Sequence, residues 1–207
     1  MHRRPARLIS GEFEPYRSRH ALSPDLAALE RALSDDAARE LPPFGADSVR
    51  RARTLGPAAT PVLQAHVQAR GDDALLALEA LRVADPAGYQ AQPGAARAAI
   101  YVAALGKGRY FNTWGQPGMA LTDTARALAA LGNDAVAALA PLLADQRPAP
   151  SSGSQDATLA QMNGNRVCDY AWVLIHEARG TEYVYASAPA DRDREISALR
   201  AALANRP

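Results

Sequence analysis

The sequence predicts an all-α fold, an α-solenoid in which antiparallel helix pairs stack side by side. The first observation is composition: aromatic residues are 6% of the 207 residues, and alanine far outnumbers valine and isoleucine, a balance that favours helix over strand. The second is that leucine and alanine recur at spacings of three and four between glycines and prolines. The third is an apolar pattern that recurs at a fixed offset. With 48% hydrophobic and 22% charged residues, the composition is that of a folded protein.

The first half of the chain alternates helix starts and stops. Ser23-Pro24-Asp25 combines an N-cap residue, a proline in the first turn and an acid near the positive end of the helix. A leucine stripe follows, and Pro42-Pro43 stops the segment. The same signals predict helices that begin near residues 47, 60, 73 and 94.

The second half repeats these signals. Helices are predicted to begin at Thr122-Asp123, at Asn133-Asp134, after Asn165 and at Asp191. Pro141 lies within the second of them and should kink it, because proline has no backbone donor. No stretch alternates convincingly with a period of two, and Tyr183-Val184-Tyr185, the nearest, is too short for a sheet.

The apolar pattern recurs after about twice 38 residues, near twice the length of a helical-pair repeat. A short helix pair joined by a glycine turn cannot bury its apolar faces alone, so several pairs are expected to stack. The predicted domain spans residues 23–207, with pairs at about 47–70, 73–105, 123–143 and 165–205, preceded by a basic N-terminal arm at 1–22. The matching positions are Val49, Ala52, Leu55, Gly56, Ala59, Leu63 and Val67 against Ala125, Leu128, Leu131, Gly132, Ala135, Leu139 and Leu143.

Three segments resemble HEAT repeats. Residues 47–52 with Leu55-Gly56 are similar to the first helix of a repeat, and residues 127–145 to the turn and second helix. Residues 165–171 are similar to another first helix, with Cys168 where the family usually has Arg or Lys. The insertions at 107–121 and 146–164 depart from a regular array. The resemblance implies a non-catalytic protein that holds a protein partner in a concave groove, such as a bacterial inhibitor, immunity protein or adaptor.

Aromatic residues in two loops are the predicted partner contacts. Arginine and large aromatic side chains are the types that dominate interfaces, and both loops lead from one helix to the next, so they could lie on one edge of the stack. If Trp114 binds a partner, its replacement by alanine should leave stability nearly unchanged. The alternative is that these rings fold back onto the interface between repeats. The predicted contact residues are Arg109, Tyr110, Phe111, Trp114, Tyr183, Tyr185, Arg166 and Asp169.

A nucleic-acid enzyme is the alternative function. One family of DNA glycosylases is built of HEAT-like repeats and uses Trp, Asp and Arg along a basic groove. The formal net charge of +1 gives no overall attraction for nucleic acid, and Arg166 and Asp169 also suit an i,i+3 ion pair. The residues of the right types are Trp114, Asp123, Arg126, Arg166, Asp169 and Trp172.

No cofactor is expected. His176-Glu177 is similar to the paired motifs of HEAT-like di-iron hydroxylases, but those sites need several such pairs and the chain has one. Cys168 has no partner for an internal disulfide, and its apolar neighbours favour a packed thiol.

The N-terminal residues and the hydropathy bear on location. Residues 1–20 contain five arginines and no apolar core of a signal peptide, so we expect a cytoplasmic protein, or a periplasmic or secreted one if a signal peptide was removed. No apolar stretch approaches the ~20 residues of a membrane span.

Overall fold

A computed structural model describes residues 23–108, 112–149 and 155–205, and confirms an all-α fold. The predicted arm at 1–22 and the predicted contacts Arg109, Tyr110 and Phe111 lie outside the described residues. The helices are α1 (Pro24–Ala38), α2 (Asp47–Leu55), α3 (Thr60–Ala69), α4 (Ala74–Ala84), α5 (Pro86–Ala91), α6 (Gly94–Lys107), α7 (Asp123–Ala129), α8 (Asn133–Leu139), α9 (Gln155–Met162), α10 (Val167–Arg179) and α11 (Pro189–Ala204). Short 3₁₀ turns span Pro43–Gly45, Gly56–Ala59 and Ala140–Ala144.

The helix boundaries follow the capping signals. The Ser23 hydroxyl accepts a hydrogen bond from the Leu26 amide at 3.4 Å, as its N-cap position predicts. The kink predicted at Pro141 is instead a break in the helix, because α8 ends at Leu139 and the chain continues as the 3₁₀ turn Ala140–Ala144. The N-cap of α10 is Arg166, one residue later than predicted.

Two short helices and one small hairpin were not predicted from the sequence. Helices α5 and α9 have six and eight residues and lie in stretches that the sequence predicts as connections between helices. Strands β1 (Gly115–Gln116) and β2 (Ala120–Leu121) form a small antiparallel hairpin in which Gly115 pairs with Leu121. Each strand has only two residues, so no alternation is visible in the sequence.

Two nearly buried helices organise the core. Helix α4 packs against α1, α2, α3, α5 and α6, and α10 packs against α7, α8, α11 and the turn Ala140–Ala144. Helix α6 packs against α4, α7 and α8, and so joins the two groups. Leu76, Leu78 and Leu81 of α4 and Ala171 and Ile175 of α10 are completely buried.

The repeated sequence pattern corresponds to repeated local structure. Gly56 has φ 59° and ψ −144°, and Gly132 has φ 58° and ψ −122°. Both values lie in a region that is essentially restricted to glycine. Gly56 is the C-cap of α2 and Gly132 is the N-cap of α8, so each lies between two helices, and the matched leucines Leu63 and Leu139 are both 0% exposed.

Among the described residues, no single helix has the length and apolar character needed to cross a bilayer. Helix α7 and the segment Asn133–Ala144 reach that length and composition only together, and the chain bends by 102° between them.

Candidate partner-binding groove

A groove of about 790 Å³ lies where α10 ends, the chain crosses residues 181–188 and α11 begins. We call it the α10–α11 groove. One wall is the last two turns of α10, the opposite wall is the first two turns of α11, and the crossing segment lies between them. Its lining residues are Trp172, His176, Glu177, Gly180, Thr181, Glu182, Tyr183, Val184, Ala186, Asp191, Arg194 and Glu195.

Aromatic rings form the α10 side of the groove. The rings of His176 and Tyr183 both pack edge-on against Trp172, with centroids 5.0 Å and 5.3 Å from that of the indole. Such contacts add to the stabilisation from burial. His176 Nδ1 lies 2.8 Å from the Thr181 hydroxyl. The Tyr183 hydroxyl donates a hydrogen bond of 3.0 Å to Glu177. The crossing segment is therefore attached to α10 by ring contacts and hydrogen bonds.

The same packing changes two pKa values. Burial, and then the neighbouring Glu177 carboxylate, raises the pKa of Tyr183 to about 12. Burial lowers the pKa of His176 below its usual 6.5, and the nearby Arg179 acts in the same direction. Near neutral pH, the aromatic wall is therefore uncharged.

Carboxylates dominate the charge of the groove. Four acids and one arginine line it, and that arginine, Arg194, pairs with Asp191 at 2.6 Å. Glu177, Glu182 and Glu195 are all exposed, and Glu177 accepts a hydrogen bond from the Tyr183 hydroxyl. Val184, 86% exposed, projects from the crossing segment beside them.

A completely buried arginine fixes the crossing segment from beneath. Arg192 is 0% exposed, and its Nε lies 3.0 Å from the equally buried Asp169 carboxylate. Its Nη1 donates to the carbonyls of Ala186 and Ser187 at 2.9 Å and 2.8 Å. Its Nη2 donates to the carbonyls of residues 163 and 164 at 2.8 Å and 3.1 Å. The Arg192 side chain therefore links α11, which carries it, to the crossing segment and to the turn before α10. It also pairs with the Asp169 carboxylate.

Three of the predicted contact residues converge on this buried cluster. The Arg166 guanidinium bonds Asp169 at 3.0 Å and Asp193 at 2.8 Å, and its amide donates to Asp169 at 2.8 Å. The Tyr185 hydroxyl donates to the Asn165 side chain at 2.6 Å, and its ring lies 5.1 Å from the Arg192 guanidinium. Asp169 has no exposed surface, so it organises the cluster and presents nothing to a partner. This corrects the expectation for Asp169.

Trp114 also differs from its expectation. Its side chain is 6% exposed and belongs to the main core, because the hairpin folds the loop back onto the helices. This placement matches the alternative in which a ring covers the core, and it corrects the expectation of an exposed contact.

The two predicted loops nevertheless meet. Gly118, at φ 76°, lies so close to Tyr185 that an added Cβ would overlap that side chain. Of the predicted contact residues that the structure describes, Tyr183 lines the α10–α11 groove, and it is half-buried.

Three of the groove residues that sequence reasoning missed lie in α11, namely Asp191, Arg194 and Glu195. Asp191-Arg192-Asp193-Arg194 alternates in sign and reads as a solvated helix start, which hides the buried role of Arg192. Trp172 and His176 share one face of α10 at i,i+4, and that spacing was the available signal for the aromatic wall.

Three further features of the described residues bear on metal, thiol and nucleic-acid chemistry. No group of three or more His, Cys, Asp or Glu side chains in the described part of the chain is arranged to hold a metal ion. Burial raises the pKa of Cys168 to about 11, which keeps the thiol protonated near neutral pH. Asp123 and Arg126 form an exposed pair at 2.9 Å on α7, whereas Arg166 and Asp169 belong to the cluster beneath the groove.

Comparison of the chain with family models, with curated proteins and with solved structures found no match.

Proposed function

We propose that this protein is a non-catalytic binding protein whose α10–α11 groove holds a basic segment of a partner protein. The observation that carries the proposal is the groove itself: a firmly attached aromatic wall, an exposed valine and an excess of carboxylates. Arrangements of this type suit a peptide or loop that brings both apolar and charged groups.

The charge of the groove selects the partner's charge. Glu182 and Glu195 are exposed acids that line it, and the lining arginine is already paired with Asp191. A lysine or arginine of the partner would pair with these two carboxylates, and the existing pair between Arg194 and Asp191 would stay intact. An arginine could also lie against the ring of Tyr183.

The attachment of the crossing segment supports binding by a preformed surface. Arg192 and Tyr183 hold residues 183–187 from both sides, so little conformational entropy is lost when a partner binds. A preformed groove favours the inhibitor or adaptor role that the HEAT-like resemblance implies. We propose the α-solenoid as its architecture, on the basis of the packing of neighbouring helices and the matched glycines Gly56 and Gly132.

The test is a selection from phage-displayed random dodecapeptides on the immobilised wild-type chain. We expect recovered peptides that combine Lys or Arg with an aromatic or aliphatic residue. Their affinity should fall at least tenfold for the double variant Glu182→Lys/Glu195→Lys, because two attractive contacts become repulsive. The matched control is Asp35→Lys, which reverses an exposed acid on α1 away from the groove.

Two outcomes would overturn the proposal. One is a selection that recovers no basic peptides. The other is a set of basic peptides that bind the double variant and the control equally well. Far-UV circular dichroism of both variants verifies that the fold is intact, as expected for exposed side chains.

A further inference from the structure

A second cleft, with the opposite charge, lies on the other half of the molecule. It has a volume of about 270 Å³ and is bounded by the turn Pro43–Gly45, α2, α4 and the start of α7. We call it the α2–α4 cleft. The lining residues are Pro43, Phe44, Gly45, Ala46, Val49, Arg50, Arg53, Glu79, Arg82, Val83, Thr122, Asp123 and Thr124.

A buried carboxylate holds one arginine of the cleft in place. Glu79 is 2% exposed and accepts hydrogen bonds from the hydroxyls of Tyr101 at 2.5 Å and Thr124 at 3.0 Å. Arg82 binds the same carboxylate through Nε at 3.2 Å and Nη2 at 2.8 Å. Burial and the adjacent Glu79 raise the pKa of Tyr101 well above its usual value, so the phenol stays a donor. The Arg82 side chain remains 30% exposed, and its Nη1 makes no hydrogen bond within the described residues.

The other two arginines extend the positive side of the cleft. Arg53 is exposed and has no ion-pair partner among the described residues. Arg50 pairs with Asp47 at 2.6 Å but is 72% exposed. Glu79 offsets the charge of Arg82, Asp47 offsets that of Arg50 and Asp123 pairs with Arg126, so Arg53 supplies the uncompensated positive charge of the lining among the described residues.

An exposed aromatic ring stands beside these arginines. Phe44 is 75% exposed on the turn Pro43–Gly45, and Val49 and Val83 line the cleft near it. An exposed phenylalanine next to arginines is the combination enriched at protein interfaces. A bare anion would use the guanidinium groups and leave this apolar surface uncovered.

We propose that the α2–α4 cleft is a second interaction site, which binds a partner segment carrying a carboxylate side chain next to an apolar one. The carboxylate pairs with Arg82, whose guanidinium Glu79 has already oriented, and with Arg53. The apolar side chain packs on Phe44 and the two valines. The site is independent of the α10–α11 groove, which has the opposite charge and lies on other helices.

The test uses a Glu182→Gln/Glu195→Gln variant as bait in a second dodecapeptide selection, because it removes two exposed carboxylates of the α10–α11 groove without adding positive charge there. We expect acidic peptides with an aromatic or aliphatic residue. Their affinity should fall at least tenfold in Arg53→Glu and in Phe44→Ala added to the bait, and remain unchanged in Arg31→Glu, an exposed arginine on α1. Inorganic phosphate at the concentration of the peptide should not displace them.

Three results would overturn the inference. The first is a selection without acidic peptides. The second is binding that Arg53→Glu and Phe44→Ala leave at the level of the Arg31→Glu control. The third is displacement by phosphate together with indifference to Phe44→Ala, which would reduce the cleft to a simple anion site. Because Phe44 and Arg53 are exposed, each variant is expected to fold, and thermal unfolding verifies this.

Discussion

Replacing Arg192 with methionine should destabilise the protein strongly, although the residue sits among charged neighbours at the start of α11. Arg192 is 0% exposed and makes an ion pair with Asp169 and four hydrogen bonds to carbonyls. Methionine has a similar apolar stem but no donor, so the carbonyls lose their partner and Asp169 loses one of its two guanidinium groups.

The expected cost follows from the cost of breaking a buried ion pair. Removal of one partner from such a pair typically costs about 3–5 kcal/mol. For a chain of this size, each kcal/mol lowers the melting temperature by roughly 2–4 °C, so the variant should melt roughly 6–20 °C below the wild type. The matched control is Arg194→Met two residues later, where the arginine is 74% exposed and paired with Asp191. An exposed pair contributes at most about 1 kcal/mol.

Equilibrium unfolding in urea, followed by far-UV circular dichroism, measures both variants. A double-mutant cycle with Asp169→Asn should show a coupling of about 1 kcal/mol or more between Asp169 and Arg192. The reasoning is refuted if Arg192→Met loses no more stability than Arg194→Met, because Arg192 would then make no net contribution from within the core.

Four further substitutions test other parts of the structure. Trp114→Ala should lower the free energy of unfolding by about 3–5 kcal/mol, because a buried indole is removed from the core. Gly56→Ala and Gly132→Ala should each lower the free energy of unfolding by about 1–3 kcal/mol, and the two losses should be similar. An added Cβ meets open space at both sites, so the strain comes only from the positive φ. Burial lowers the pKa of His176 below 6.5, so the unfolded chain binds the proton more tightly than the native one. As the pH falls below about 6.5, the wild type should therefore lose stability relative to His176→Gln.

Each of these predictions has an outcome that contradicts it. A Trp114→Ala variant with wild-type stability would restore the expectation of an exposed contact. Clearly unequal losses at Gly56 and Gly132 would show that the repeated sequence pattern does not mark equivalent turns. A stability difference between wild type and His176→Gln that stays constant from pH 7.5 to pH 5 would mean that His176 titrates alike in the folded and unfolded chains.

Helix positions were predictable because their signals act within one turn. Ser23 caps α1, Gly56 ends α2 and Pro141 interrupts the helix that begins at Asn133. The repeated pattern of small and apolar residues also identified buried positions, such as Leu63 and Leu139. The stacked HEAT-like arrangement and the protein partner stay predictions, since they depend on more than these local signals.

The candidate site was only partly visible in the sequence. Tyr183 was predicted as a contact and lines the α10–α11 groove. Trp114 belongs to the same predicted set, but β1 and β2 fold its loop back onto the core. Tryptophan is common both in protein interfaces and in protein cores. Residue type alone therefore cannot assign a tryptophan to either environment.

The sequence by itself determined where most of the longer helices begin and which of their faces are apolar, because caps, breakers and periodicity are local properties. Only the tertiary structure decided which charged residues are buried. Asp169, Arg192 and Glu79 look like surface residues in sequence, but each is satisfied by groups on other elements, for Arg192 by carbonyls 28 and 29 residues away. A charge can enter the core only when such distant partners converge on it, and that convergence is a property of the folded chain.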